Sequence, residues 1–166
     1  MKYIVLLVLL CGVAYWFWGR GDGAVAKHGV PKGAVTLQNC QPLLQRAHKD
    51  LTPEEVVLKS SVAFIRYEFT LYAETLADGK MREKFRTKTL SPGGQKTRDK
   101  AMRDNLHAYT ITKSVVNDNH ATVTLHEQIG NTVPVDYIYE LELSERGWVI
   151  REMKSPSRPE DNIVVD

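Results

Sequence analysis

The spacing of apolar residues along the chain changes once, near residue 107. Before that point, apolar residues recur at steps of three and four, as they do on one face of an α-helix. After it, apolar and polar residues alternate at every second position, which is typical of β-strands with one buried face. The pattern therefore predicts an α+β fold in which helices come first and an antiparallel sheet follows.

A helix start signal opens the longest helical stretch. Thr52 offers a capping hydroxyl, Pro53 suits the first helical position, and Glu55 lies three residues on to complete a capping box. Gly79 can take the left-handed conformation in which helices often end. We therefore predict one continuous helix of about 25 residues over 52–77. Its apolar stripe consists of Leu58, Val62, Ile65, Phe69, Tyr72 and Leu76. Shorter helices are predicted near 42–49, 80–88 and 95–106.

Four strand-like segments follow the helices, with a turn signal between each pair. The turns are marked by Asn117-Asp118-Asn119, by Gly130-Asn131 and by Glu145-Arg146-Gly147. Because these turns are short, successive strands must pair antiparallel. We therefore predict a four-stranded antiparallel meander, with the long helix and the short helices packed on its apolar face.

An unbroken apolar run precedes all of these elements, from Tyr3 to Trp18. It holds neither charge nor proline, and its helical length of roughly 25 Å comes close to the ~30 Å of a bilayer core. The aromatic residues at its end suit the headgroup layer. We predict that residues 1–19 form a single transmembrane anchor or uncleaved signal, with the lipid bilayer contacted through residues 3–18. The alternative is a secretory signal cleaved near Ala26, which would release an exported soluble protein.

The remaining chain divides by composition into three parts. Residues 20–40 are rich in Gly, Ala and Lys and predict a flexible tether, 41–154 hold the folded domain, and 155–166 predict a loose tail. The very short basic head around Lys2 favours an amino terminus that stays in the cytoplasm. We therefore expect a single-pass protein of the inner (cytoplasmic) membrane with its domain on the periplasmic side.

Charge is distributed unevenly, although the net charge of +2 favours no class of partner. Residues 80–104 hold nine Lys and Arg against three acidic residues, whereas the sheet half is acidic. The candidate basic surface consists of Lys80, Arg82, Lys84, Arg86 and Lys88. The two halves of one fold can simply attract each other, or the basic segment can face anionic lipid or an acidic partner. The basic run lacks interleaved aromatic residues, which argues against nucleic acid.

Cysteine and histidine give no metal or disulfide pattern. Cys11 lies in the apolar run, and Cys40 is alone in the rest of the chain. The five histidines are scattered and none is paired with a cysteine at ligand spacing. The sequence therefore indicates no metal site and no cofactor.

The region 52–154, about two thirds of the chain, resembles the nuclear transport factor 2-like superfamily. The resemblance rests on the capped long helix, on the run His120-Ala-Thr-Val-Thr-Leu and on Glu145-Arg-Gly-Trp-Val-Ile. It implies a cone, in which a long helix is wrapped by a curved four-stranded antiparallel sheet. The order of anchor, tether and domain is similar to a bitopic inner-membrane component of type IV secretion channels. This chain is shorter than is usual there, and no motif specific to that component is present.

The resemblance also implies a pocket in the cone, where enzymes of the superfamily place an acid or base. The pocket candidates are Tyr67, Tyr72, His107, Tyr109, Glu127 and Tyr137. Core packing is the simpler interpretation for the tyrosines, and capping of a helix end for His107. Glu127 follows Val123 and Leu125 on the apolar face of its strand, so its carboxylate is the one to inspect first. No catalytic residue is assigned, because no nucleophile motif or phosphate loop is present.

Three classes of function remain open. The sequence favours a membrane-tethered extracytoplasmic interaction or assembly protein without catalytic activity, which contacts an envelope protein or forms a homodimer. The alternative is a small-molecule-binding or enzymatic pocket protein, which requires that Trp148, Phe64 and Phe69 do not fill the mouth of the cone. Binding of a lipid surface through the basic segment is a third possibility.

Overall fold

The structure, a computed structural model, describes residues 33–104, 106–156 and 162–165. Within these ranges no helix has both the length and the apolar character needed to cross a bilayer. The predicted anchor, the alternative cleavage point near Ala26 and the first part of the tether lie outside the described residues.

Helices occupy the first half of the described chain and strands the second. The helices are α1 (Gln41–Gln45), a 3-10 turn (His48–Asp50), α2 (Pro53–Ile65), α3 (Phe69–Thr75), α4 (Lys80–Arg86) and α5 (Pro92–Asp104). The strands are β1 (Val35–Thr36), β2 (His107–Asn117), β3 (His120–Ile129), β4 (Val135–Ser144), β5 (Gly147–Lys154) and β6 (Ile163–Val164). All six strands form one antiparallel sheet in sequence order.

The described sheet has six strands, so the predicted fold class, a four-stranded cone preceded by a transmembrane helix, is wrong. Val35 of β1 pairs with Tyr109, and Ile163 of β6 pairs with Met153. These two strands come from the segments assigned to the tether and to the loose tail. Each is two residues long, too short to show the alternation from which strands are predicted.

The predicted continuous helix over 52–77 is also wrong, because the chain leaves the helix at Arg66 and re-enters one at Phe69. Tyr67 has φ 57°, the left-handed conformation. The amide of Glu68 donates to the carbonyl of Ala63 at 2.9 Å, and that of Tyr67 to the carbonyl of Phe64 at 3.1 Å. These two bonds form a Schellman motif, which usually needs glycine at the position that Tyr67 occupies.

The start of α2 is as predicted. The amide of Glu55 donates to the hydroxyl of Thr52, and the carboxylate of Glu55 accepts from the amide of Thr52 at 3.0 Å. This capping box fixes the helix at the point where its buried face begins.

The core lies between α2, α3 and the inner face of the sheet. Its fully buried members on the helices and strands include Val56, Val57, Val62, Ala63, Ala73, Val123, Leu125, Leu141, Val149 and Ile150. The segment after α3 closes against the sheet as well, since the amide of Ala77 donates to the carbonyl of Ile150 at 2.9 Å. The helices therefore cover one sheet face, and the space that they leave open forms the site described next.

Candidate functional site

A cavity of about 510 Å³ lies between the end of α2, the middle of α3 and the inner face of the sheet. Its lining residues are Ser60, Ser61, Phe64, Ile65, Tyr72, Leu76, Tyr109, Leu125, Glu127, Tyr137, Tyr139, Ile150, Met153, Ile163 and Val165. Most of these side chains are aliphatic or aromatic, so the walls are mainly apolar. Such a volume falls within the usual range for small-molecule sites.

The break after α2 and the two short strands shape this cavity. Because the helix ends at Ile65, α3 takes a new direction, and Tyr72 and Phe64 meet with ring centroids 5.1 Å apart. Ile163 of β6 and the buried Val165 close the far wall. The features that sequence patterns missed are thus the ones that bound the site.

The mouth of the cavity is not filled by large side chains. Phe64 lines the cavity but is 45% exposed, whereas neither Trp148 nor Phe69 is among the lining residues. An exposed wall residue gives the cavity access to solvent. Of the three side chains that could obstruct the cavity, Trp148 and Phe69 therefore do not enter its wall, and Phe64 forms part of it.

A polar cluster of three side chains lies at one end of the cavity. Nδ1 of His107 is 3.0 Å from Oε1 of Glu127, and Oη of Tyr109 is 3.4 Å from the same nitrogen. The negative charge of Glu127 also acts on the hydroxyl of Tyr109, whose pKa it helps to raise. Sheet register explains the contact: Tyr109 lies directly opposite Glu127, and His107 is the diagonal neighbour two residues earlier.

Burial keeps three tyrosines of the cavity wall, Tyr72, Tyr109 and Tyr139, protonated at neutral pH. Burial, together with the charge and hydrogen bond of Glu127, raises the pKa of Tyr109 far above its ordinary value. Burial likewise raises the pKa of Tyr139, although its hydrogen bond with Ser61 opposes this rise. The pKa of Tyr72 is raised to about 12 by burial alone. At neutral pH these uncharged hydroxyls can form hydrogen bonds with a ligand but do not act as bases.

A second polar spot lies where α2 faces the sheet. Oγ of Ser61 is 3.3 Å from Oη of Tyr139 and donates to the carbonyl of Val57 at 3.0 Å. The cavity therefore has polar groups on the helix side as well as at the Glu127 end.

The structure brings most of the predicted pocket residues together. Tyr72, Tyr109, Glu127 and Tyr137 line the cavity, and His107 reaches it by contacting Glu127. Tyr67 does not line it, because its left-handed backbone directs the ring against Phe69, 5.7 Å away between centroids. Sequence reasoning missed Tyr139 and Ser61. Tyr139 could have been found, since it shares the strand face of Tyr137 two residues on.

The predicted basic surface is largely engaged within the fold. Arg82 pairs with Asp78 at 2.5 Å, and Arg86 pairs with Glu83 at 3.3 Å. The ammonium of Lys88 lies 4.6 Å from the centre of the Phe69 ring and 5.1 Å from that of Phe85. Lys80 and Lys84 are exposed on α4. Contacts within the fold thus account for three of the five positive charges.

Charge in the cavity is confined to one group. Among the described lining residues, Glu127 alone has a side chain that carries a formal charge at neutral pH. The described part of the chain also contains no group of three or more His, Cys, Asp or Glu side chains arranged to hold a metal ion.

Comparison of the chain with known protein families, with curated proteins and with solved structures finds no match. The resemblance to the nuclear transport factor 2-like superfamily therefore stays a prediction, and the site has to be interpreted from its own geometry.

Proposed function

We propose that this chain binds a small, mainly apolar molecule in the cavity between α2, α3 and the sheet. The observation that carries the proposal is the combination of mainly apolar walls with a buried hydrogen-bonded cluster that contains a carboxylate, Glu127 with Tyr109 and His107. Binding sites typically have this composition, in which apolar surface supplies affinity and a few fixed polar groups orient the ligand.

Binding rather than turnover is the activity that the cluster supports. The hydroxyls of Tyr72, Tyr109 and Tyr139 have raised pKa values, so they hydrogen-bond a ligand without taking a proton from it. The carboxylate of Glu127 is already hydrogen-bonded to His107, which fixes it in place. A carboxylate that is held in place and hydroxyls that stay neutral suit the binding of a ligand better than its chemical conversion.

We further propose that the binding domain is held at the outer face of the inner membrane. The apolar run 3–18 supports this location, with the short basic head left in the cytoplasm. A reporter enzyme active only outside the cytoplasm, fused after residue 166, would be active if this orientation is correct. Activity of the complementary cytoplasmic reporter instead would contradict it.

The binding proposal is tested by filling the cavity. Isothermal titration calorimetry of the full-length chain with benzyl alcohol should show one saturable site. In the double variant Ile65→Trp/Met153→Trp two indoles enter the cavity, and affinity should fall by about tenfold or more, since the ligand loses its apolar contacts.

A matched control separates this effect from nonspecific uptake. The double variant Val116→Trp/Val133→Trp adds the same indoles at positions that are 49% and 84% exposed, so its affinity should equal that of the parent chain. Any uptake by residues 1–32 is common to all three proteins. Equal binding by parent and cavity-filled chains, or no saturable binding by the parent, would overturn the proposal.

A second candidate function, self-assembly, is favoured by one observation on β2. Of the described strands, β1 covers the outer edge of β2 only at Ala108 and Tyr109, so the stretch from 110 to 117 is left open on that side. Val115 and Val116 are exposed there. An antiparallel pairing of two such edges uses the same residues in both copies, as a two-fold dimer requires.

Sedimentation of the full-length chain tests this candidate. A dimer that dissociates in Val116→Lys but persists in Val133→Lys would support pairing of two β2 edges, because only the first lysine lies on that edge. A monomeric parent chain, or a dimer that both variants keep, would rule it out.

A further inference from the structure

We infer that the cavity selects ligands in which an apolar body carries a positively charged nitrogen group; this rests on the proposed binding function. The inference comes from the charge of the cavity wall. Glu127 is 9% exposed and lines the cavity, and no Lys or Arg is among the described residues that share the wall with it. A buried negative charge without a positive counterpart in the wall favours a cation at that place.

The nearest buried ammonium group is engaged elsewhere. Lys59 precedes the lining residues Ser60 and Ser61 but is 1% exposed, and its Nζ donates to the carbonyl of Arg46 at 3.1 Å. The same Nζ lies 3.5 Å from the carboxylate of Glu74. Lys59 is therefore satisfied on the far side of the helix and does not neutralise the cavity.

His107 and Tyr109 hold Glu127 in position. Nδ1 of His107 lies 3.0 Å from Oε1 of Glu127, and Oη of Tyr109 lies 3.4 Å from the same nitrogen. Burial keeps the hydroxyl of Tyr109 protonated, so this neighbour adds no charge of its own. His107 is not among the described residues of the wall, so the carboxylate of Glu127 is the charged group that a ligand in the cavity meets there.

The aromatic wall favours the same class of ligand. The rings of Phe64, Tyr72, Tyr109, Tyr137 and Tyr139 all line the cavity. Aromatic faces attract organic cations, and cages of such rings are a common means of recognising quaternary ammonium groups. An anion of the same shape would be repelled by the negative carboxylate and by the negative ring faces. A neutral molecule would lack the electrostatic attraction that both offer a cation.

A series of three probes with one aromatic body tests the selection. Benzyltrimethylammonium, benzyl alcohol and phenylacetate are each titrated calorimetrically into the full-length chain. We expect the cation to bind about tenfold more tightly than benzyl alcohol and phenylacetate to bind most weakly. Equal affinity for cation and alcohol, or preference for the anion, would overturn the inference.

Variants assign the selection to Glu127. Glu127→Gln keeps the shape and one acceptor oxygen but removes the charge, so it should reduce the preference for the cation over benzyl alcohol about tenfold. Glu140→Gln is the matched control, because Glu140 is exposed on the outer face, where it pairs with Lys154 at 2.9 Å. Loss of cation binding in both variants, or in neither, would contradict a role specific to Glu127.

A second variant keeps the test decisive if Glu127→Gln does not fold. Phe64→Leu removes one ring of the wall and should weaken binding of the cation about threefold more than binding of benzyl alcohol, because the ring face attracts only the charged probe. An equal change for both probes would contradict the inference. If benzyl alcohol binds in the cavity and the cation has no advantage, only the inference fails; if no probe binds, the proposed function fails as well.

Discussion

Nδ1 of His107 lies 3.0 Å from Oε1 of Glu127, across the first pair of long strands and beside the largely apolar cavity. The side-chain atoms of His107 are 16% exposed and those of Glu127 are 11% exposed, so both side chains are mostly buried. A carboxylate in this position is stabilised only if its neighbours donate hydrogen bonds to it. The contact therefore contributes to the fold and also fixes the one carboxylate among the described residues of the cavity wall.

A double-mutant cycle should show that the two side chains are coupled. His107→Ala should lower the free energy of unfolding by about 1–3 kcal/mol, because it removes a donor from a buried carboxylate. The same change made in a Glu127→Gln background should cost less, with a coupling energy of about 1 kcal/mol. Chemical denaturation of the four chains measures this. Additive effects would show that the pair does not interact.

Substitutions of Tyr67 test the helix break. The sign of the stability difference between two variants distinguishes a broken helix from a continuous one. Both Tyr67→Gly and Tyr67→Ala remove the ring contact with Phe69, so their difference reports the backbone. At φ 57° glycine should be more stable than alanine by about 1 kcal/mol. In a continuous helix alanine would be the more stable by up to about 1 kcal/mol. Thermal or chemical denaturation of the two variants decides between these structures.

Lys59 and Glu74 should respond unequally to substitution. Glu74→Ala leaves the buried ammonium of Lys59 with the carbonyl of Arg46 alone, which should destabilise the chain by about 3 kcal/mol. Lys59→Met keeps the buried stem and leaves Glu74, at 42% exposed, to water, so its cost should stay within about 1 kcal/mol. Equal costs in urea denaturation would contradict a desolvated ammonium at this place.

Stability should fall in alkaline solution because of the buried tyrosines. An unfolded tyrosine ionises near pH 10, whereas burial raises the folded pKa of Tyr72 to about 12 and that of Tyr109 further. Between these values the unfolded state has already lost the proton that the folded state keeps. Each such group therefore lowers stability by about 1.4 kcal/mol per pH unit above pH 10.

Removing the hydroxyl of Tyr72 tests whether a buried tyrosine lowers stability in alkaline solution. In Tyr72→Phe the free energy of unfolding should decline less steeply between pH 10 and 12. The slope should change by about 1.4 kcal/mol per pH unit, which is the contribution of one titrating group. Denaturant titrations at several pH values measure the slope. An unchanged slope would show that Tyr72 ionises as easily in the folded chain as in the unfolded one.

Sequence patterns predict the parts of this fold that depend on local chemistry. The capping box at Thr52 and the alternation that turns Tyr109, Glu127 and Tyr137 inward follow from neighbouring residues, and both are present. The break at Tyr67 does not follow, since the motif there lacks the glycine that normally marks it. Strand β1 owes its existence to pairing with a segment far along the chain, and β6 to pairing with the end of β5.

The candidate site, too, is predictable from the sequence only in part. Glu127 could be singled out because a carboxylate stands on an apolar strand face. Its contact with His107 depends on which residues the register brings opposite each other, which no single strand encodes. The size of the cavity depends on where α2 ends and on how α3 leaves it. Packing of elements that are far apart in sequence therefore decides whether the inward residues enclose a core or a site.

Methyl-resonance NMR of the full-length chain, titrated with benzyltrimethylammonium, tests the central claim most directly. If the cavity binds this ligand, the resonances that shift should belong to the lining residues Leu125, Ile150 and Met153, and they should saturate together. Shifts confined to the exposed residues Val115 and Val133, or no saturable shift at all, would contradict a binding site beneath the sheet.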